Sequence, residues 1–416
     1  MDGGSAALKN LIRSRRPGHS LPADLYARQD VFEADMAVFF GRHWIYVGLE
    51  IDVPEPGDTS TLDIGAASII LLRDEEGEVR ALRNVCRHRG ARLTDCGKST
   101  VGKLVCPYHQ WTYELTGELA FARHMGTDFD KAGHGLLPVP LRSVEGLLFA
   151  CLGDAPPEDF ATLEQVMTPR LAPFDLRNTK IAFEHDIVEE GNWKLAVENN
   201  RECYHCAGSH PELNNSFIAQ DFGFNPAELS AEERVESQAH DADCEAKTVA
   251  WEAAGYVSRA ADYLSGCVSA FRTQRLVIHG AGESQTLDTR VASRRLLGTL
   301  SDKALGDVHF WTHNSWHHFM SDHVVTICMI PLAPTRTLIR TKWLVHRDAV
   351  EGVDYDVDNL TKVWLATNAQ DQELVGRAQR GVLDPGYRPG PYSAHTERYL
   401  DRFADWYLDR LQAHGF

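Results

Sequence analysis

Two short loops constrain this chain more than anything else in it: "CRHRG" at 86–90 and "CPYHQW" at 106–111 set Cys86-x-His88 and Cys106-x2-His109 on either side of 17 residues. Each loop follows an apolar run, "ALRNV" before the first and "KLV" leading into the second, so two hairpin tips are expected to converge on one site. Two thiolates and two imidazoles suffice for a tetrahedral zinc. Each arm here mixes Cys with His, however, whereas finger-type zinc sites usually pair Cys with Cys and His with His.

A [2Fe-2S] centre of the Rieske type takes two cysteines on one iron and two histidines on the other, which suits one residue of each kind per loop. Such a centre relays single electrons and needs a destination. The pattern resembles the Rieske domain of the Rieske-type non-haem iron oxygenases, in their large catalytic subunit, through "CRHRGARL" and "CPYHQWTYELTGEL". Cys86, His88, Cys106 and His109 match ligand positions of that domain, and Cys96 between the loops does not.

The 416 residues suggest two or three domains, and 43% apolar residues suffice for a buried core. With 59 acidic residues against 42 basic ones, the net charge of −17 argues against nucleic acid or an anionic membrane as partner. Nine cysteines spread thinly predict a reducing, cytoplasmic setting. The Arg15–Arg16 pair is not followed by the apolar core of an export signal, and no run approaches the ~18 apolar residues of a membrane span.

Phe32, Met36, Phe39 and Phe40 predict an amphipathic helix in an N-terminal segment, 1–43, that packs on the catalytic domain. A small all-β domain is expected over 44–154, where "SIILLR" and "VRALRN" flank the turn "DEEGE". The Pro-bearing "GDAPPED" marks its end. A larger α+β catalytic domain with an antiparallel sheet is expected over 155–416. Within it, 228–264 reads as a polar helical cap, and Leu400, Phe403, Ala404, Tyr407, Leu408 and Leu411 as one face of a helix.

The destination for electrons is "ENNRECYHCAGSHPE", with Glu202-x2-His205-x4-His210. Residues five apart on a helix point about 140° apart, so both imidazoles meet one metal only if the helix bends or ends; Gly208 and Pro211 are the expected causes. Two histidines and a carboxylate form the open triad of non-haem Fe(II) oxygenases. Asp371, on a predicted helix, is the expected third ligand, as in the family, where that carboxylate lies well downstream. Glu373 points elsewhere on the same helix, and Asp322 and Asp384 are rivals. Cys203-x2-Cys206 could instead be a redox or zinc pair. The resemblance makes Glu202 the acidic bridge to His109 of an adjacent subunit; many relatives carry aspartate there, and the glutamate accords with the branch acting on quaternary ammonium compounds.

No Gly-x-Gly-x-x-Gly follows a strand, so electrons are expected from a separate NAD(P)H-dependent flavin/iron–sulfur reductase. The family's architecture implies a head-to-tail homotrimer. Segments such as "VENNRECYHC", "SWHHFMSDH" and "TKWLVHRDAVEGVDYD" resemble betaine oxygenases. The resemblance thus implies O2-dependent N-demethylation of glycine betaine or proline betaine, with formaldehyde released. Tyr204, Trp311, Trp316 and Phe319 are candidates for an aromatic cage around the cation. Ring-hydroxylating dioxygenase and choline- or carnitine-type monooxygenase are the enzymatic alternatives; an electron carrier and a ligand-binding protein are the others.

Overall fold

A computed structural model describes residues 2–95 and 97–416, so Cys96 lies outside the described residues. The chain divides into two compact units, one of Phe39–Pro157 and one of the residues up to Val38 together with Glu158–Phe416. The sequence places these breaks at 43/44 and 154/155.

The smaller unit is all-β, apart from short 3-10 turns. Its strands are β1 (Ile45–Leu49), β2 (Asp58–Ile64), β3 (Ala67–Arg73), β4 (Val79–Arg83), β5 (Gly97–Thr100), β6 (Leu104–Val105), β7 (Thr112–Tyr113), β8 (Leu119–Phe121), β9 (Leu141–Val144) and β10 (Leu147–Ala150). They form antiparallel sheets ordered β1-β10-β9, β4-β3-β2-β5 and β6-β7-β8. Five consecutive residues of β3, Ser68 to Leu72, are buried, as befits a strand covered on both faces. The β3–β4 turn closes with Gly77 at φ +87°, its N–H on Asp74 O at 3.1 Å. Ile70, Leu82, Leu104, Trp111 and Tyr113 share a core with Cys86 and Cys106, so the loops hang from the packed centre of the unit.

In the larger unit, strands β11 (Thr179–Glu189), β12 (Ala261–Tyr263), β13 (Phe271–Leu276), β14 (Asp307–Trp311), β15 (Ser315–Phe319), β16 (His323–Ala333) and β17 (Arg336–His346) make a seven-stranded antiparallel sheet, ordered β11-β17-β16-β15-β14-β13-β12. The helices are α1 (Asp2–Arg13), α2 (Ala23–Ala27), α3 (Gln29–Val38), α4 (Phe160–Leu171), α5 (Trp193–Asn200), α6 (Cys206–Ser209), α7 (Ala231–Ala253), α8 (Val357–Val382) and α9 (Arg398–Ala413). The six apolar positions expected on one face of α9 are all buried. The protein is thus an α+β chain with an all-β first domain. Among the described residues, no helix is long and apolar enough to cross a membrane.

The N-terminal helix differs from expectation in its buried stripe. Val31, Ala34, Asp35 and Val38 face inward, and Phe32 and Met36 are only half-buried. Asp35 causes this: its carboxylate takes an ion pair from Lys194 and hydrogen bonds from Trp193 Nε1 (2.9 Å) and Tyr407 Oη (2.7 Å). All four side chains are buried, so the cost of desolvating Lys194 and Asp35 is offset by their pairing, by the two hydrogen bonds to Asp35 and by the Trp193 and Tyr407 rings 5.1 and 4.9 Å from the ammonium. The network ties α3, α5 and α9 together and so fixes the start of the segment that carries the histidines.

Candidate active site

The two loops of the all-β unit repeat one construction. Gly90 N–H bonds to Cys86 O and Gln110 N–H to Cys106 O, each at 3.0 Å, and both of these residues, four after the cysteine, take positive φ, 76° and 62°. A second backbone bond closes each loop, from Cys86 N–H to Ala91 O and from Cys106 N–H to Trp111 O, at 2.8 Å each. The cysteines are thereby buried, while His88 is exposed and His109 half-buried. The two imidazole centroids lie 4.6 Å apart, and His88 stacks on Trp111 at 4.8 Å. Tyr113 Oη sits 3.2 Å from Cys86 Sγ and accepts Arg87 N–H at 3.0 Å. Burial and the neighbouring thiol push the Tyr113 hydroxyl up, so it stays a donor toward sulfur. Sulfurs inside and imidazoles at the rim are what a cluster with one protected and one accessible iron requires.

In the larger unit, α5 ends at Asn200, capped at its start by the Asn192 side chain on Lys194 N–H (3.0 Å). Glu202 and Cys203 follow in irregular chain and Tyr204 and His205 in a turn, so neither Glu202 nor His205 lies within a helix. The second bend comes at His210, with φ −121° and ψ 70°, outside the α region that proline disfavours for the residue before it. Gly208 has negative φ, and open space surrounds its Cα, so Pro211 rather than Gly208 turns the chain.

These two bends aim both imidazoles at Asp371 of α8. His205 Nε2 and His210 Nε2 lie 3.5 and 3.1 Å from Asp371 Oδ1, and the rings meet edge to face at 5.0 Å. The other ring nitrogens are engaged: His205 Nδ1 with Glu202 Oε1 at 2.7 Å and His210 Nδ1 with Gln370 Oε1 at 2.8 Å. Glu202 also accepts the Tyr204 N–H, and Gln370 Nε2 donates to Glu212 at 2.8 Å. Outer hydrogen bonds of this kind fix the tautomer and free Nε2 for a metal. Burial opposes a proton on His205, but Asp371 and Glu202 outweigh it and lift the imidazole to about 9. Burial likewise opposes charge on Asp371, yet both histidines hold its carboxyl below the usual range. Asp371 Oδ1 is buried without a hydrogen bond of its own. The donor set therefore calls for a cation, and two imidazoles with one carboxylate fit ferrous iron.

The rivals are occupied elsewhere. Glu373 is exposed and pairs with Arg377. Asp322 is buried among Ser284 Oγ (2.7 Å), Ala292 N–H (2.6 Å) and Ser293 N–H (3.1 Å), and Asp384 binds Gly386 N–H at 2.7 Å. Cys206 Sγ is near the imidazole nitrogens but is joined to Cys203 in a disulfide that brackets Tyr204 and His205. The expectation of reduced thiols does not hold at this pair.

The triad opens on a cavity of about 290 Å³. Alternate residues of the sheet line it: Arg272, Gln274 and Leu276 from β13, His309 and Trp311 from β14, and His318 from β15. Of the four expected cage aromatics, Trp311 alone lines the cavity. Trp316 is buried and faces Trp311 in register. Phe319 points to the other face of β15, where it packs on Phe174 at 5.5 Å. Tyr204 is 67% exposed, turned out by the bracketing disulfide turn.

Sequence reasoning passed over Tyr399, Trp364 and Arg272. The Arg272 guanidinium lies over Trp311 at 5.0 Å and Tyr399 at 4.6 Å, with Nε buried and unpartnered. Its cross-strand pairing with Trp311 was the available signal, but it depends on a register that sequence does not reveal.

Residues 43–138 match the Rieske [2Fe-2S] domain, and residues 176–413 match the ring hydroxylating alpha subunit (catalytic domain). The glycine betaine monooxygenase oxygenase subunit of Chromohalobacter salexigens is 44% identical over 97% of this chain and 88% of its own length. That of Pseudomonas aeruginosa strain UCBPP-PA14 is 42% identical over 97% and 92%. Among solved structures, the quaternary ammonium Rieske monooxygenase CntA with L-carnitine superposes with a TM-score of 0.68 at 20% identity, covering 96% of this chain and 97% of that one. Naphthalene 1,2-dioxygenase from Rhodococcus gives 0.65 at 19%, covering 99% of both.

Proposed function

Because this chain belongs to the Rieske-type oxygenase alpha subunits, with a [2Fe-2S] domain and a mononuclear iron domain, we propose that it is the oxygenase component of a system that N-demethylates glycine betaine or a close betaine such as proline betaine. Cys86, His88, Cys106 and His109 would hold the cluster, and His205, His210 and Asp371 the ferrous ion. When bound, these groups supply single electrons and the reduction of dioxygen. One oxygen atom goes to an N-methyl carbon and the other to water; the resulting hemiaminal releases formaldehyde, the tertiary amine and a proton.

One observation carries the substrate reading: a guanidinium, that of Arg272 with Nη2 held by Gln274 Oε1, lines the same small cavity as the triad. A betaine carries a carboxylate as well as a quaternary ammonium. Arg272 is placed to take the carboxylate, stiffened by Trp311 and Tyr399 on which it lies. Trp364, also at the cavity wall and held by Gln285 through a 2.7 Å bond from Nε1, offers an aromatic ring to the methylated cation. Glu202 holds the His205 Nδ1 proton and, by the family resemblance, joins His109 of the next protomer. Electrons come from a separate NAD(P)H-dependent reductase, and the working unit is a head-to-tail homotrimer. The near-full-length similarity to glycine betaine monooxygenase oxygenase subunits supports the betaine substrate and the role of an oxygenase subunit that works with a separate electron donor.

The test is a formaldehyde assay with reductase, NAD(P)H and a panel of glycine betaine, proline betaine, carnitine, choline and naphthalene. Stoichiometric formaldehyde from a betaine is expected. Turnover of choline or carnitine in preference to betaines, or diol from naphthalene, would overturn the assignment. Arg272→Leu is expected to raise KM for the betaine about ten- to a hundredfold, the worth of a charged hydrogen bond.

A further inference from the structure

Outside the triad, the larger unit holds a second concentration of soft and nitrogen ligands. His240 and Cys244 lie four residues apart on one face of α7. Asp221 approaches from the 3-10 turn Ala219–Phe222, and His279 from the loop after β13. His240 Nε2 is 3.0 Å from Asp221 Oδ1, and Cys244 Sγ is 3.6 Å from His240 Nε2. His279 Nε2, a buried atom in no hydrogen-bonding orientation, is 3.1 Å from Asp221 Oδ2. The ligand atoms of Asp221, His240 and Cys244 all fall within 4.8 Å of one another.

We propose that Asp221, His240 and Cys244 bind a divalent transition metal of the zinc class, with His279 as the second partner of the carboxylate, and that this ion fastens α7 to the wall of the catalytic cavity. Bonds of about 2.0–2.1 Å to nitrogen and oxygen and about 2.3 Å to sulfur give tetrahedral edges of roughly 3.3–3.6 Å. The His240–Cys244 separation of 3.6 Å matches such an edge, the His240–Asp221 separation of 3.0 Å is a little shorter, and all three ligand atoms lie within 4.8 Å of one another. An imidazole, a thiolate and a carboxylate suit zinc better than magnesium or calcium, whose sites lean on oxygen. Metal binding displaces the thiol proton of Cys244 and neutralises the carboxylate.

The helix has need of such a tie. Of its 23 residues only Ser237 and Trp251 are buried, so little apolar surface holds it. Trp251 anchors its C-terminal end through Nε1 to Ala304 O at 3.3 Å, and His240 with Cys244 sit near its middle. Asp221 also lines the cavity, so the ion would fix one side of the substrate's surroundings.

Holoenzyme is dialysed against zinc and then against metal-free buffer, and zinc and iron are counted together. About one zinc per chain beyond the iron is expected, and the zinc absorption edge should show one sulfur at about 2.3 Å. Cys244→Ser should lose both zinc and the sulfur shell while keeping iron and the visible cluster spectrum. Asp371→Ala, which disrupts the iron triad, should keep the zinc. Zinc below a tenth of an equivalent in the wild type, a shell without sulfur, or zinc lost with Asp371→Ala but kept with Cys244→Ser would each overturn the site.

Discussion

Each imidazole of the triad has one nitrogen fixed so that the other is free. Glu202 does this for His205 and Gln370 for His210, and both Nε2 atoms then face Asp371 Oδ1. Removing Asp371 leaves two neutral ligands for a divalent ion, so Asp371→Ala should lose the mononuclear iron. The visible spectrum of the cluster, set by Cys86 and Cys106 in a different unit, should be unchanged; the check is iron counting alongside absorbance. Glu202→Gln keeps the size of the side chain and removes its charge, so both metals should stay. Cluster reoxidation in a single turnover with substrate should slow, and unaltered kinetics would dismiss the bridge. Asp371 was legible through the family resemblance, which puts a carboxylate ligand on a helix well downstream of the histidines; helix angle adds only that Asp371 and Glu373, two positions on, cannot both face one metal, and in the structure Glu373 is exposed and pairs with Arg377. Gln370 was not, because a neutral amide gives no signal until the fold brings it 2.8 Å from a histidine that is 160 residues away.

At the scale of elements, the turn between α5 and α6 and the strands around the cavity show where sequence patterns stop. Pro211 announced a break, but the earlier break, after Asn200, has no proline or glycine to mark it; there the buried Arg201 follows the helix, its guanidinium donating to Thr312 O at 2.9 Å. Strand β15 is buried at all five positions, so alternation could not separate cavity-lining His318 from core Phe319, and the cage was drawn too wide. The α5 network also has a pH signature. Burial pushes the Glu198 carboxyl up to about 8, with Tyr26 and Lys194 opposing and Glu397 assisting. Tyr26 Oη donates to its two oxygens at 2.8 and 3.0 Å. The folded state therefore binds a proton that the unfolded chain has already lost above its own lower carboxyl value. Stability from this group is full below the unfolded value and is lost as pH rises toward 8, with a slope of at most about 1.4 kcal/mol per pH unit. Glu198→Gln should flatten the wild-type decline in unfolding free energy between about pH 5 and 8. A variant that retains the full slope would place the titration elsewhere.

For the whole molecule, the question is which chain's cluster serves which chain's iron. A head-to-tail ring gives every protomer one neighbour that donates and one that accepts. Two inactive variants then have complementary defects: Cys86→Ser keeps the triad and lacks the cluster, and Asp371→Ala keeps the cluster and lacks the iron. Neither alone should turn over. Co-expressed in equal amounts and assembled at random, a chain has an intact triad half the time, and its donating neighbour has an intact cluster half the time. About a quarter of the sites should therefore be active, read as formaldehyde per total chain relative to wild type. Transfer within one chain predicts none, because no single protomer in the mixture has both centres. The experiment also tests the carrier and binding-protein alternatives, since neither yields formaldehyde in any mixture. Restored turnover would place the functional boundary between protomers, with Glu202 of one chain facing His109 of the next.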